Sequence, residues 1–233
     1  FTIADANGCS MDSTINLTQP TSALTTSLTG SLYPSGTNVS CFGSTDGSID
    51  ATVLGGTAPY TFDWRGADST SYSTEDISGL AAGTYELVVT DSNQCSFFAS
   101  ISLDQPDSAL IADFSISQFT GGANTSCSNS SDGSIVVSVM GGNDLMGYSW
   151  NGPGGFTSIA DSIGGLAAGT YIFNAMDING CALSDSVVIV APQPIVAILE
   201  TALFPGGTAI SCSDAADGSI AAVITGGVAD YSM

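Results

Sequence analysis

Histidine is absent from the 233 residues, and lysine and arginine together contribute a single residue, Arg65. A Ser-His-Asp triad or a Ser-Lys dyad therefore has nothing to be built from. Zinc loses its commonest nitrogen ligand, and the six cysteines show no Cys-x-x-Cys spacing that would support a zinc ribbon or a redox motif. Against one cation stand 22 acidic residues, giving a formal net charge of -21. That balance excludes nucleic acid as a partner and excludes electrostatic docking onto an anionic membrane. No apolar run reaches the length of about 18 residues needed to span a bilayer as a helix. No signal peptide is visible either, so any targeting signal is expected outside this stretch. Charged residues make up only 10% and hydrophobic ones 43%, which rules out a disordered acidic tail.

What the chain does have is a period. Cys9, Cys95 and Cys181 stand 86 residues apart (95−9 and 181−95), and Cys41, Cys127 and Cys212 follow at 86 and 85. The phrase Asp-Gly-Ser-Ile begins at Asp46, Asp132 and Asp217 with the same step. Such self-similarity indicates one structural unit repeated in tandem rather than one large core. Gln-Pro pairs at Gln19-Pro20, Gln105-Pro106 and Gln193-Pro194 read as joints, because proline cannot continue a ladder and stiffens the chain. The expected organisation is the end of a preceding repeat (1–20), two complete repeats (21–106 and 107–194) and the beginning of a following one (195–233).

Within each repeat the signals are those of strands: short alternating runs of β-branched and aromatic residues divided by Gly, Asn, Asp and Ser. Ser48 to Leu54, Pro59 to Trp64, a short segment at Ile77, Tyr85 to Thr90 and Phe97 to Leu103 are predicted strands, with one or two more between Ser22 and Cys41. The second repeat follows the same plan from Ile135 to Val190. About seven strands per repeat predicts an all-β chain of tandem immunoglobulin-like sandwiches of about 86 residues. High like charge and short proline joints predict that these form an extended rod.

Units this small are often stapled, and cysteine at every recurring position predicts disulfides and an extracellular or cell-surface setting. If Cys41 opens a short strand parallel to the last strand of its sandwich, it lies at the same end as Cys95, which gives the pairs Cys41–Cys95 and Cys127–Cys181. The alternative joins neighbours across the repeat boundary as Cys9–Cys41, Cys95–Cys127 and Cys181–Cys212.

Taken together, Cys41-Phe42-Gly43, Asp46-Gly47-Ser48-Ile49, Gly55-Gly56, Pro59-Tyr60, Trp64, Gly79-Leu80-Ala81-Ala82-Gly83-Thr84-Tyr85, Asp91, Asn93 and Cys95 resemble the SprB repeat. That repeat occurs in giant surface adhesins of Bacteroidota, including the mobile adhesin of gliding flavobacteria exported by type IX secretion. The resemblance implies a structural or adhesive segment of a cell-surface repeat protein, with neighbouring repeats, surface glycans or further copies of the chain as partners, and it carries over no catalytic residue. Five Asp-Ser phrases, at Ser13, Ser69, Ser108, Ser162 and Ser186, resemble the O-glycosylation acceptor of exported Bacteroidota proteins.

Three constellations have competing readings. Asp46, Asp91, Asn93, Asp132, Asp177 and Asn179 are oxygen donors of the kind calcium takes, yet Asp and Asn also close turns by bonding nearby amides. Trp64 and Trp150, 86 residues apart, suit a sandwich core better than a sugar-stacking platform. The stretches from Arg65 to Thr74 and from Asn151 to Ala160 are where an array of glycan-binding modules would carry specificity, but they differ between repeats. Recurring carboxylates fall only in predicted turns, so no enzymatic activity is expected; a non-catalytic spacer of a secreted enzyme is the remaining alternative.

Overall fold

The computed structural model describes residues 1–67 and 69–232. Two compact units divide the chain, Phe1–Gln105 and Pro106–Met233. The first opens with a hairpin of β1 (Thr2–Ala4) and β2 (Ser10–Asp12) and continues with β3 (Thr25–Gly30), β4 (Gly47–Leu54), β5 (Thr61–Arg65), β6 (Ser71–Tyr72), β7 (Ile77–Leu80), β8 (Gly83–Thr90) and β9 (Ser96–Leu103). The second contains β10 (Ile111–Ile116), β11 (Gly133–Met140), β12 (Leu145–Gly152), a 3-10 turn at Pro153–Gly155, β13 (Phe156–Ser158), β14 (Ser162–Leu166), β15 (Gly169–Asp177) and β16 (Ala182–Ile189). It closes with a hairpin of β17 (Val196–Thr201) and β18 (Ile220–Thr225). No helix among the described residues is long and apolar enough to cross a membrane.

Each complete repeat is a two-layer antiparallel sandwich. In the first, a three-stranded sheet β3-β4-β7 faces a four-stranded sheet β6-β5-β8-β9; in the second, β10-β11-β14 faces β13-β12-β15-β16. The period-2 alternation of the sequence decides which face turns inward. Along β8, Tyr85, Leu87 and Val89 are buried while Glu86 and Val88 are not, and along β4 the inward residues are Ile49 and Ala51. Burial of each large side chain contributes about 1.5–3 kcal/mol relative to leaving it in water. Seven strands in a three-plus-four arrangement, with this strand order, form an immunoglobulin-like sandwich.

A second marker of that architecture sits at the corner where the chain passes between sheets. The Tyr85 hydroxyl donates to the Ala81 carbonyl at 2.9 Å, and Tyr171 does the same to Ala167 at 3.1 Å. This is the tyrosine corner that pins the turn before β8 and, in the second repeat, before β15. The Leu-Ala-Ala-Gly-Thr-Tyr phrase thus supplies two alanines for the turn and the tyrosine that ties it. Trp64 and Trp150 are 0% exposed at the sandwich centre, and each indole N–H finds a carbonyl, Thr74 at 3.0 Å and Ala160 at 3.1 Å. Their place is the core.

One expectation about strands is corrected. No short strand opens at Cys41; residues 38–44 form an irregular loop between β3 and β4. Its Asn38 and Val39 amides both donate to the Asp104 carbonyl, at 3.0 and 2.9 Å, which fastens the loop to the far end of β9.

Candidate functional site

The recurring polar residues gather at the two poles of each sandwich: the proximal pole, where the chain comes in, and the distal pole, where it leaves. The proximal pole is organised by a buried carboxylate. Asp91 is 2% exposed, and its Oδ1 accepts the amides of Asn93 and Cys95, both at 2.9 Å. Its Oδ2 accepts the Thr57 amide at 3.0 Å, from the loop that follows Gly55-Gly56. Asp177, 0% exposed, accepts the amides of Asn179 at 3.0 Å and Cys181 at 2.8 Å, and that of Asn143 at 2.9 Å. A buried charge is tolerable when several donors converge on it. The same turn at the start of the chain has Asp5 accepting the Asn7 and Cys9 amides, each at 2.9 Å.

The Gly-Gly loop opposite is shaped to fit. Gly55 has φ +73°, and a Cβ there would sit 2.0 Å from the Ala23 carbonyl oxygen, so a side chain is excluded twice over. Gly56 comes so close to the carboxylate that a Cβ would lie 3.0 Å from Asp91 Oδ2; at Gly142 the distance to Asp177 Oδ2 is also 3.0 Å.

The distal pole is organised by the Asp-Gly-Ser-Ile phrase. Asp46 accepts the Ser40 amide at 3.0 Å and the Ser40 hydroxyl. Asp132 accepts the Ser126 amide at 3.0 Å, and Asp217 the Ser211 amide at 3.1 Å. Gly47 follows because a Cβ would meet the Leu80 carbonyl at 2.9 Å. Asn38 completes the pole: its Nδ2 donates to the Ser31 carbonyl at 2.7 Å and its Oδ1 accepts the Asp104 amide at 3.0 Å. Asn124 repeats both bonds, to Ser117 and from Val190, at 2.9 Å each. In the sequence these asparagines stand out only as N-glycosylation sequons, although their 86-residue step also points to a structural role.

Hydrogen bonding leaves a mark on acidity. Burial pushes Asp46 up, but the Ser40 hydroxyl and amide outweigh it and hold the carboxyl below its ordinary 3.8. Burial acts likewise on Asp91, and the amides of Cys95, Thr57 and Asn93 bring it below 3.8. The Ser126 hydroxyl and amide lower Asp132.

The six residues considered for calcium are not brought together. Asp46 and Asp132 lie at distal poles, while Asp91 with Asn93 and Asp177 with Asn179 lie at proximal ones. The carboxylates are spent on backbone amides, which is turn chemistry. Among the described residues no group of three or more His, Cys, Asp or Glu side chains is placed to hold a metal ion.

The cysteines require a correction. Cys95 and Cys127 carry free thiols, as do Cys9 and Cys212, whereas Cys41 and Cys181 are disulfide-bonded. The pairs Cys41–Cys95 and Cys127–Cys181 are therefore not formed, and the alternative pairing of boundary neighbours fails on the same residues. The reason lies in β9: Cys95 precedes it, and the Cys41 loop is fastened beyond its end, where the Gly43 amide donates to Gln105 Oε1 at 2.8 Å. At about 3.3 Å per residue, the strand holds the two sulfurs roughly 25–30 Å apart. β16 separates Cys127 from Cys181 in the same way.

Of the serines in Asp-Ser phrases, Ser69, Ser108, Ser162 and Ser186 are exposed and Ser13 is half-buried. Ser162 and Ser186 lie in strands β14 and β16, and Asp68, which precedes Ser69, lies outside the described residues. The two stretches weighed for glycan recognition are built differently, one with the Ser69 amide donating to the Gly66 carbonyl, the other around the 3-10 turn at Pro153–Gly155.

Fold and poles together define immunoglobulin-like sandwiches whose recurring Asp and Asn side chains bond the backbone of the loops at each pole. The family model for the SprB repeat matches residues 35–69, a segment that takes in Cys41, the Asp46 phrase, Gly55-Gly56 and Trp64. No curated protein matches the chain. A solved structure described as "Crystal structure of tetra-tandem repeat in extending region of large adhesion protein" is similar at 18% identity over 98% of this chain and 69% of that one, with a TM-score of 0.23.

Proposed function

We propose that this chain is a structural spacer in a long extracellular adhesin, in which tandem sandwiches form an extended rod that carries a binding site away from the cell surface. The observation that supports this most is the use made of the recurring side chains. Asp46, Asp91, Asn38 and their counterparts are committed to backbone groups that fix the loops at each pole, which is what a unit needs in order to be joined repeatedly in one geometry.

The SprB match over residues 35–69 favours a surface adhesin over a spacer attached to a secreted enzyme. By that resemblance the finer reading is a surface protein of Bacteroidota exported by type IX secretion and associated with gliding, carrying O-glycans at exposed Asp-Ser serines. A single cationic residue leaves trypsin-like proteases one cleavage site, which suits a stalk exposed to the surroundings. Small-angle scattering on this chain and on a version with two further repeats appended tests the spacer role. The maximum dimension should grow nearly in proportion to repeat number; a compact particle would overturn the reading.

A further inference from the structure

Each larger sheet ends on an eight-residue edge strand, β9 in the first repeat and β16 in the second. A free edge offers unpaired N–H and C=O groups to another strand, and native sheets protect it with a charge, a proline or a bulge. β16 is protected. Asp185 takes an inward position in the middle of the strand yet stays exposed, and its Oδ1 accepts the Ser186 amide at 2.7 Å. That amide belongs to the free edge. The Asp177 amide donates to the Cys181 carbonyl, so by alternation the odd-numbered residues of β16 bond to β15 and the even-numbered ones face away.

β9 has no such protection. Its sequence Ser-Phe-Phe-Ala-Ser-Ile-Ser-Leu contains no charge and no proline, and its register with β8 runs without a bulge from Ser96 to Leu103. Ala99 stands where Asp185 stands, 86 residues earlier. The Asp91 amide donates to the Cys95 carbonyl at one end, and the Asn38 amide to the Asp104 carbonyl at the other. By the same alternation the N–H and C=O groups of Ser96, Phe98, Ser100 and Ser102 point away from β8. Among the described residues nothing bonds to them, and β3, alongside in the smaller sheet, pairs with β4 alone. Phe98 is 57% exposed on the outer face of this edge.

Charge and side-chain order identify the occupant. A chain of net charge -21 repels an acidic strand, whereas a copy of β9 brings no charge at all. Two copies run antiparallel about Ala99 also match each other. On the inward face Phe97 meets Ile101 and Ala99 meets Ala99; on the outward face Ser96 meets Ser102 and Phe98 meets Ser100. The outward pairs are the ones whose free groups exchange both hydrogen bonds. The two Phe98 rings fall on a diagonal, within reach of one another. The same register at β16 would set Asp185 directly against Asp185, which like charge disfavours.

We propose that β9 pairs with β9 of a second copy of this chain, antiparallel about Ala99, so that two four-stranded sheets become one continuous sheet. β9 runs from the proximal to the distal pole, and the paired repeats therefore point in opposite directions. On stalks, that is the polarity of chains carried by two facing surfaces. This last step alone rests on the stalk reading; the pairing does not.

Sedimentation equilibrium of the full chain tests the pairing, with non-reducing electrophoresis of the same sample to separate it from a disulfide-linked dimer. The mass should rise with concentration from 23.3 kDa toward twice that value. Ala99→Asp, which brings in the residue of the second repeat, should stay at the mass of one chain where the wild type is dimeric. Should that variant disturb the sandwich, Ser100→Pro gives an independent reading: it removes an amide that points away from β8, so the ladder between β8 and β9 is kept and dimerisation is lost. In the wild type the amides of Phe98, Ser100 and Ser102 should exchange more slowly as concentration rises. A mass of one chain at every concentration would overturn the proposal and leave the edge to a strand of another protein. A dimer that survives both substitutions, or edge amides whose exchange ignores concentration, would overturn it as well. Scattering extrapolated to infinite dilution reads the single chain, so a compact particle there removes the stalk and leaves the pairing, while a monomer in sedimentation removes the pairing and leaves the stalk.

Discussion

The poles and the core of each sandwich repeat by different rules. At the poles identity recurs: Asp91 and Asp177, Asn38 and Asn124, Asp46 and Asp132 occupy matching places with matching hydrogen bonds. In the core the tryptophan, the corner tyrosine and four aliphatic positions recur, Leu24, Ile49, Ile77 and Leu80 as Leu110, Ile135, Ile163 and Leu166, while at the remaining positions apolar character recurs without identity. Leu28 and Leu87 of the first repeat stand where Phe114 and Phe173 stand in the second, 86 residues on. The second core consequently holds an aromatic cluster, with Trp150 and Phe173 centroids 4.9 Å apart and Phe114 edge-on to both at 5.8 and 5.6 Å. Dispersion and area burial ask for volume in a suitable shape, whereas a buried amide asks for an acceptor at one point.

The largest effect that bears on this contrast belongs to the fixed centre of the core. Trp150→Ala should lower the unfolding free energy by about 3–5 kcal/mol, read from the denaturation midpoint of the repeat. Phe173→Leu, which keeps the apolar character and imports the residue of the first repeat, should cost no more than about 1.5 kcal/mol. Equal losses for the two would erase the distinction between a fixed tryptophan and an interchangeable neighbour.

At the pole, Asp177→Ala removes the acceptor of three backbone amides. Each buried donor without a partner costs roughly 1–3 kcal/mol, and with some recovered by water the net loss should be about 2–3 kcal/mol. Amide hydrogen exchange should accelerate at Asn143, Asn179 and Cys181 while core amides such as that of Phe173 change little. Uniform acceleration would mean that pole and core unfold as one and that the contrast has no energetic content.

The smallest effect is on pH dependence. The carboxyls of Asp46, Asp91 and Asp132 lie below their ordinary 3.8 in the folded state. Their stabilisation is complete above that ordinary value and is lost as pH falls through the lower folded value. Acid also relieves the repulsion of a net charge of -21, so the informative quantity is the difference between wild type and Asp91→Asn. That gap in melting temperature should narrow from about pH 6 to about pH 2; a gap independent of pH would show that the carboxylate charge contributes nothing.

How much of this was legible in the sequence follows the same division. Alternation along Ile49-Ala51-Val53 and Tyr85-Leu87-Val89 identifies strands and their inward faces because a strand repeats every two residues. The sandwich follows from counting them. β6 is hidden, since Ser71 and Tyr72 lie in a polar stretch and pair with only the end of β5. Asp91 could be recognised as a turn residue from Asn93 and Cys95 beside it, but its bond to Thr57, 34 residues away, depends on how the loops meet. The cysteine pairing failed for a related reason: the period shows that cysteines recur, not that an eight-residue strand holds the two of one repeat at opposite poles.

All of these measurements concern how one repeat is held; the central claim concerns what many repeats do together. Small-angle scattering on the oxidised chain and on a version two repeats longer tests that claim most directly. The account predicts a maximum dimension that rises nearly linearly with repeat number while the cross-sectional radius of gyration stays constant. A maximum dimension that barely increases while the cross-section thickens would contradict it.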